Sequence, residues 1–290
     1  VNVPDGEHFL KGPLRLRNNV ELHLADGAKL VFSDDPADCL PQVETSWEGV
    51  ERKAFSPLVY VPDATNVSIT GEGTLRAEMA NWRNRDLRPH FIQFYRCRNV
   101  RVEGVAVLGS PFWTIHLYRT DGATVRNVRV DAFGSDGKAI RNSDGIDVER
   151  SQNVLVEGCT FRQGDDAIVI KSGKDPSQAA AARPCENILI RDCTVTEGHV
   201  LLGIGSEVSC GVRNVLMTNC CVDAAVNRLF FIKTNPRRGG FVENVTMADV
   251  KAREVREDVV AVLTRYFYGQ PGEEVLSDPR HTVIRGLTLN

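Results

Sequence analysis

Apolar and polar residues alternate along most of this chain, in short bursts that restart on one template. Asn153-Val-Leu-Val-Glu-Gly-Cys-Thr-Phe161 shows it in full, and the segments starting at Asn99, Asn187, Asn214 and Asn244 repeat it. Looser copies begin at Asn66, Gly122 and His281. A period of two predicts strands. The polar or Gly pair in mid-template predicts a corner between two strands. No stretch sustains a helical period; the nearest is the low-complexity run Ser177-Gln-Ala-Ala-Ala-Ala-Arg183. Strand-only coils recurring every roughly 20–40 residues stack as a solenoid. The expected fold is therefore all-β, a right-handed parallel β-helix formed by residues 1–290 as a single domain. A sandwich would want hairpin turns at regular short spacing, and these are missing. The first 60 residues are less regular. Residues 19–32 still read as a coil, while 34–57 and 77–89 read as long loops. Such loops either wall a cleft or cover the end of the solenoid.

Composition narrows the picture slightly. A formal charge of −3 leaves no basic footprint for nucleic acid, and no apolar run approaches the ~20 residues of a membrane span. Eight cysteines contain no C-x-x-C pair. Cys159, Cys193 and Cys220 share one template position, which predicts a stacked row of buried thiols rather than disulfides. The chain opens in mid-pattern at Val1 and stops inside a strand pattern at Asn290, so it reads as trimmed at both ends, and no signal peptide is visible. A monomer is expected.

Candidate chemistry gathers in Asn142-Ser-Asp144 and Gly164-Asp-Asp166, about one coil apart. Strands of neighbouring coils lie about 4.8 Å apart, so Asp144, Asp165 and Asp166 should form one tight cluster. Carboxylates that close push one pKa up, which sets an acid beside one or two bases. An isolated Asp-Asp would suggest a turn or a calcium site. With Asp144 one coil before it and His199 after it, the pattern points to catalysis. Asp147 reads as structural.

At Asn142-Ser143-Asp144, Gly164-Asp165-Asp166, Gly198-His199-Val200 and Ile232-Lys233 the sequence resembles the glycoside hydrolase family 28 enzymes, the polygalacturonases and their relatives, from about Gly12 to about Tyr268. That family carries Asn-Thr-Asp, Gly-Asp-Asp, Gly-His-Gly and Arg-Ile-Lys in this order. Gly205-Ser-Glu207 and the segment Arg238–Asn244 also match. Phe231 stands where the family has arginine. The resemblance implies hydrolysis of α-1,4-galacturonosyl bonds in pectin or polygalacturonate, with inversion, no metal and no cofactor. Asp165 would be the general acid, Asp144 and Asp166 would hold the attacking water, and His199 would tune them. Inversion requires room for that water, about 6.5–9.5 Å between carboxyl groups.

Lys233 looks like a contact for a substrate carboxylate. Asn142 either bonds a sugar hydroxyl or caps a turn. His116 either lines the cleft beside Trp113 or packs in the core. For Phe231, either Lys233 and a further cation such as Arg228 take over the uronate carboxylate, or the subsite prefers a less acidic sugar, or the ring points into the solenoid. A pectic poly- or oligosaccharide is the implied partner, and a secreted or periplasmic location follows from it. The loops 34–57, 77–89 and 174–186 lean the reading towards exo action. Competing readings are a hydrolase of rhamnogalacturonan or xylogalacturonan, a pectate lyase, and a non-catalytic β-helix used for binding.

Overall fold

In the computed structural model, which describes residues 1–78, 80–134, 136–178, 183–267 and 279–290, the alternating segments form strands that pair in parallel with the coil before and the coil after. One sheet stacks Thr65–Gly71, Arg98–Glu103, Asp121–Arg126, Gln152–Glu157, Cys185–Arg191, Val212–Thr218, Phe241–Ala248 and Val283–Leu289. Its register is strict: Val100, Ala123, Val154, Ile188, Val215 and Val245 lie above one another and all are buried. A right-handed parallel β-helix results, as the handedness of parallel crossovers favours.

Each coil has three sides. The template accounts for two of them, such as Arg98–Glu103 and Ala106–Leu108 around the corner at Gly104. The third side precedes each template: Val59–Pro62, Ile92–Tyr95, Ile115–Tyr118, Ile146–Glu149 and Ile168–Lys171 pair in that order. In the later coils the strands Thr194–Gly205 and Cys221–Lys233 bend through two sides without a break.

Asparagine opens each template for a physical reason. Asn66, Asn99, Asn153, Asn187, Asn214 and Asn244 all turn the chain with φ between 51° and 59°, a left-handed conformation that Asn tolerates better than most residues. Their amides also bond from coil to coil: Asn66 Nδ2 donates to Asn19 Oδ1 at 3.0 Å, and Asn99 to Asn66 at 2.6 Å. Asn187, Asn214 and Asn244 continue the row. At the looser copy, Gly122 supplies the positive φ and Asp121 accepts the Asn153 amide at 2.7 Å.

A continuous apolar core runs from Val3 to Met247. All eight cysteines are unpaired, and Cys159, Cys193 and Cys220 lie in the buried interior row.

The expected loop at 34–57 is structured. Val43–Trp47 and Val50–Ala54 form an antiparallel hairpin, closed by Glu48 and Gly49, both at positive φ. Two-residue hairpin turns with positive φ at both positions usually carry Asn-Gly or Asp-Gly, and Glu in the first place hides this one. The loop 77–89 is anchored at two points: Trp82 is fully buried against Phe55, and Arg88 braces the cleft wall described below. Residues 179–182 of the low-complexity run, and Tyr268, lie outside the described residues.

Candidate active site

The third side of the coils builds the site. Ile146, Ile168, Leu202 and Phe230 share a register and point inward, so the residues just before them converge on one outer edge. Backbone bonds hold the convergence: Gly145 N to Asp166 O at 2.9 Å and His199 N to Asp165 O at 2.8 Å. Asp144, Asp165 and Asp166 then have nearest oxygens within 4.8 Å of one another. His199 Nδ1 lies 3.3 Å from Asp165 Oδ1, and Lys233 Nζ lies 2.6 Å from Asp166 Oδ2. A Cβ on Gly203 would come within 2.8 Å of Asp166 Oδ2, so glycine there leaves room for the carboxylate. Three oxygens this close have the spacing of a cation site. Here Lys233 already supplies the positive charge, with Lys171 next to it.

Exposure separates the three acids. Asp144 and Asp166 are 3% and 1% exposed, whereas the Asp165 side chain is 20% exposed and reaches into a cleft of about 410 Å³. Burial first, and the Asp165 charge second, push the Asp144 carboxyl well above its ordinary range. Burial also works to raise Asp165, but the hydrogen bond from His199 and the charge of Lys233 outweigh it and hold Asp165 low. The same contact raises His199 above its ordinary value. The upward push expected for Asp165 from its position between two acids therefore falls on Asp144, the more buried and less hydrogen-bonded of the two. The gap of about 6.5–9.5 Å expected for an inverting pair is absent between these oxygens.

Asn142 is at the cleft and does two jobs. It turns the chain at φ 59°, and its amide faces Asp165 Oδ2 at 3.4 Å. Arg88, nearly buried, fixes that amide by donating to Asn142 Oδ1 at 3.1 Å. Phe231 points outward, as its neighbours Phe230 and Ile232 fill the core. Only 4% exposed, it meets Tyr266 edge-on at 5.9 Å beside Lys233. The reading in which Phe231 enters the solenoid is thereby excluded. Arg228 sits 4.7 Å from the Phe231 ring but is held by Glu257 and Asp258, so it is no free fork for a carboxylate.

His116 does not line the cleft. The hairpin covers its side of the coil: Thr45 bonds Gln93, and Ser46 bonds Glu149. His116 lies fully buried between them, with Nδ1 on the Gln93 amide at 2.9 Å and Nε2 on Glu149 at 3.0 Å. Burial, helped by the Lys171 charge, lowers it to about 3. Trp113, in contrast, does line the cleft.

Several cleft residues were given no role in the sequence reading. Lys171 and Glu207 pair at 3.2 Å, almost buried, and Lys171 stands 4.8 Å over Trp113. The alternation Ile168-Val-Ile-Lys171 already puts Lys171 on the outer side. Arg141 precedes Asn142, is exposed, and its guanidinium has no hydrogen-bond or ion-pair partner among the described residues. Glu48 arrives from the hairpin turn and meets Lys174, also in the cleft lining, at 3.4 Å. No local signal connects those two.

The model of the glycosyl hydrolases family 28 matches residues 19–279. A probable polygalacturonase of Vitis vinifera is 26% identical over 258 residues, covering 84% of this chain and 51% of that protein. An endo-polygalacturonase of Pectobacterium carotovorum is 27% identical, covering 87% of this chain and 64% of that protein. This chain thus spans about half to two thirds of the length of such relatives. Among solved structures, an exopolygalacturonase of Thermotoga maritima superposes with a TM-score of 0.86 at 34% identity, over 99% of this chain and 72% of that one. A family 28 exopolygalacturonase of Yersinia enterocolitica, at 19% identity and TM-score 0.76, shares the fold.

Proposed function

Since the chain belongs to glycosyl hydrolase family 28, we propose that it hydrolyses α-1,4-galacturonosyl bonds of polygalacturonate from a chain end. The observation that carries the proposal is Asp165 reaching into the cleft on a hydrogen bond from His199, above two sunken carboxylates. His199, raised by Asp165, holds the proton of the pair on Nδ1 and passes it through Asp165 to the leaving oxygen. Asp144 and Asp166 hold the water. Asp166, sunk and clamped by Lys233, is badly placed to attack carbon itself but well placed to orient a water above it, which favours inversion despite the short spacing. Proton NMR of the first-formed product tests this: an α-linked substrate should release the β-anomer, and release of the α-anomer rules the water role out.

A uronate substrate suits the cations at the cleft. Arg141, whose guanidinium has no partner among the described residues, offers the planar fork that Phe231 does not. Lys233 and Lys174 add positive charge, although each is paired with an acid. Phe231→Arg should fold normally and lower KM for galacturonate oligomers severalfold, with neutral sugars unaffected. A raised KM would mean that the ring stacks on the sugar. Pectin is an extracellular polymer, so a secreted or periplasmic enzyme fits; no helix among the described residues is long and apolar enough to cross a membrane.

Exo action is supported by the hairpin, whose Glu48 meets Lys174 in the cleft lining. Polymer viscosity should then fall slowly relative to reducing-sugar release. A collapse of viscosity at little hydrolysis would mean an open cleft and endo action.

Activity should also follow a bell in pH. The His199–Asp165 pair loses its proton only above the ordinary histidine value of 6.5, because Asp165 raises it, so the alkaline limb lies above that pH. The acid limb belongs to the carboxylates that hold the water, since a proton added there disables the base. Both limbs belong to the coupled cluster. His199→Asn should move the alkaline limb down; a rate that climbs steadily into alkali would point to elimination instead.

A further inference from the structure

Away from the cleft, where the third side of the coils turns into the next, lies a second concavity of about 360 Å³. Arg96, Arg98, Arg119, Arg150 and Arg183 line it against one acid, Asp121, in a chain whose net charge is −3. It shares no lining residue with the catalytic cleft, and the hairpin stands between them, since Glu51 on its outer strand pairs with Arg119 at 3.0 Å. The arginines are positioned rather than loose. Arg96 and Arg119 occupy equivalent turns with φ of 58° and 48° and lie over Tyr95 and Tyr118 at 4.7 and 5.6 Å. Arg96 is steadied by Asp63 at 2.8 Å, and Arg183 by Asp121 at 3.2 Å. Arg98 is exposed, and its guanidinium has no hydrogen-bond or ion-pair partner among the described residues. Even counting Asp63, Glu51 and Asp121, the cations stay in excess.

We propose that this arginine-lined pocket is a second saccharide site that binds carboxylate groups of a uronate polymer and keeps the enzyme on it. Guanidinium forks match carboxylates two bonds at a time, and rigid spacing from coil to coil suits a polymer with a charge on each sugar. The inference rests on the uronate reading of the cleft for its ligand, but not on the chemistry performed there.

Affinity electrophoresis through gels containing low-ester polygalacturonate tests it, with wild-type protein, Arg98→Ser/Arg183→Ser, and Arg98→Lys/Arg183→Lys. Both positions are exposed, so all three should melt alike and hydrolyse trigalacturonate alike. The serine variant should bind the polymer about tenfold more weakly, the scale of two exposed charge contacts, and the lysine variant should recover part of the loss. Highly methyl-esterified pectin, whose carboxylates are blocked, should retard none of them. Equal retardation of wild type and serine variant overturns the site, as does retardation by the esterified polymer equal to that by the free acid. If the wild type cleaves no galacturonate oligomer while the serine variant still loses retention, the cleft reading falls and this site stands.

Discussion

Asp165→Asn is expected to lower turnover on polygalacturonate about 10²–10⁴-fold, the usual worth of a positioned general acid, with KM little changed. The amide keeps the shape of the carboxylate and a contact to His199, so the cleft should remain assembled. It cannot pass a proton to the leaving oxygen. Asp144→Asn gives the contrast. Burial pushes the Asp144 carboxyl up, and a reading of the pKa directions alone would make it the acid. Its 3% exposure argues otherwise, because the donor has to touch the glycosidic oxygen. With substrates whose leaving group needs no proton, such as an activated aryl galacturonide, Asp165→Asn should recover most of its rate and Asp144→Asn should not. The reverse pattern would exchange their roles.

Lys171→Met is the second large effect, and it concerns the frame of the site. Lys171 and Glu207 are 7% and 6% exposed and pair at 3.2 Å, and Lys171 also donates to Gly205 O at 3.2 Å. Removing one member leaves a buried charge without its partner, which costs about 3–5 kcal/mol. For a chain of this size that corresponds to a fall in Tm of roughly 6–20 °C. The double variant Lys171→Met/Glu207→Leu should regain much of the loss, since a well-packed apolar pair can replace a buried ion pair. Additive losses in calorimetry would show that the two residues act separately. The pH dependence has a definite sign. Burial alone would raise Glu207, but Lys171, Lys174 and Arg238 bring it down to about 2. Its contribution is therefore complete above the ordinary 4.5 and disappears as pH falls towards 2. Lys171 is raised by Glu207, Asp147 and Asp144 against its burial, so its share is present throughout the acid and neutral range and disappears only in strong alkali.

Residues whose place follows from the repeat were legible in the sequence. Asp144, the pair Asp165–Asp166 and His199 belong to successive coils, and stacking alone brings them together. Even the exception at Gly122 kept its left-handed turn. What escaped was set by contacts between segments far apart in the chain. His116 alternates outward like Lys171, and only the hairpin, some 70 residues earlier in sequence and invisible to periodicity, decides that it is buried. Glu48 reaches the cleft for the same reason. The proton distribution among the acids was not legible either, because it depends on a few per cent of exposure and on which oxygen meets His199.

The catalytic groups come from four successive coils, while all three tryptophans, Trp47, Trp82 and Trp113, belong to the part of the chain before them. In a solenoid each coil is coupled chiefly to its neighbours. Tryptophan emission therefore watches the N-terminal coils, the hairpin and, through Trp113, the cleft wall at Lys171, whereas hydrolysis also needs the later coils that carry His199 and Lys233. An unchanged emission spectrum after heating is consistent with a dead enzyme whose later coils have opened, and the two signals followed together would show from which end this molecule comes apart.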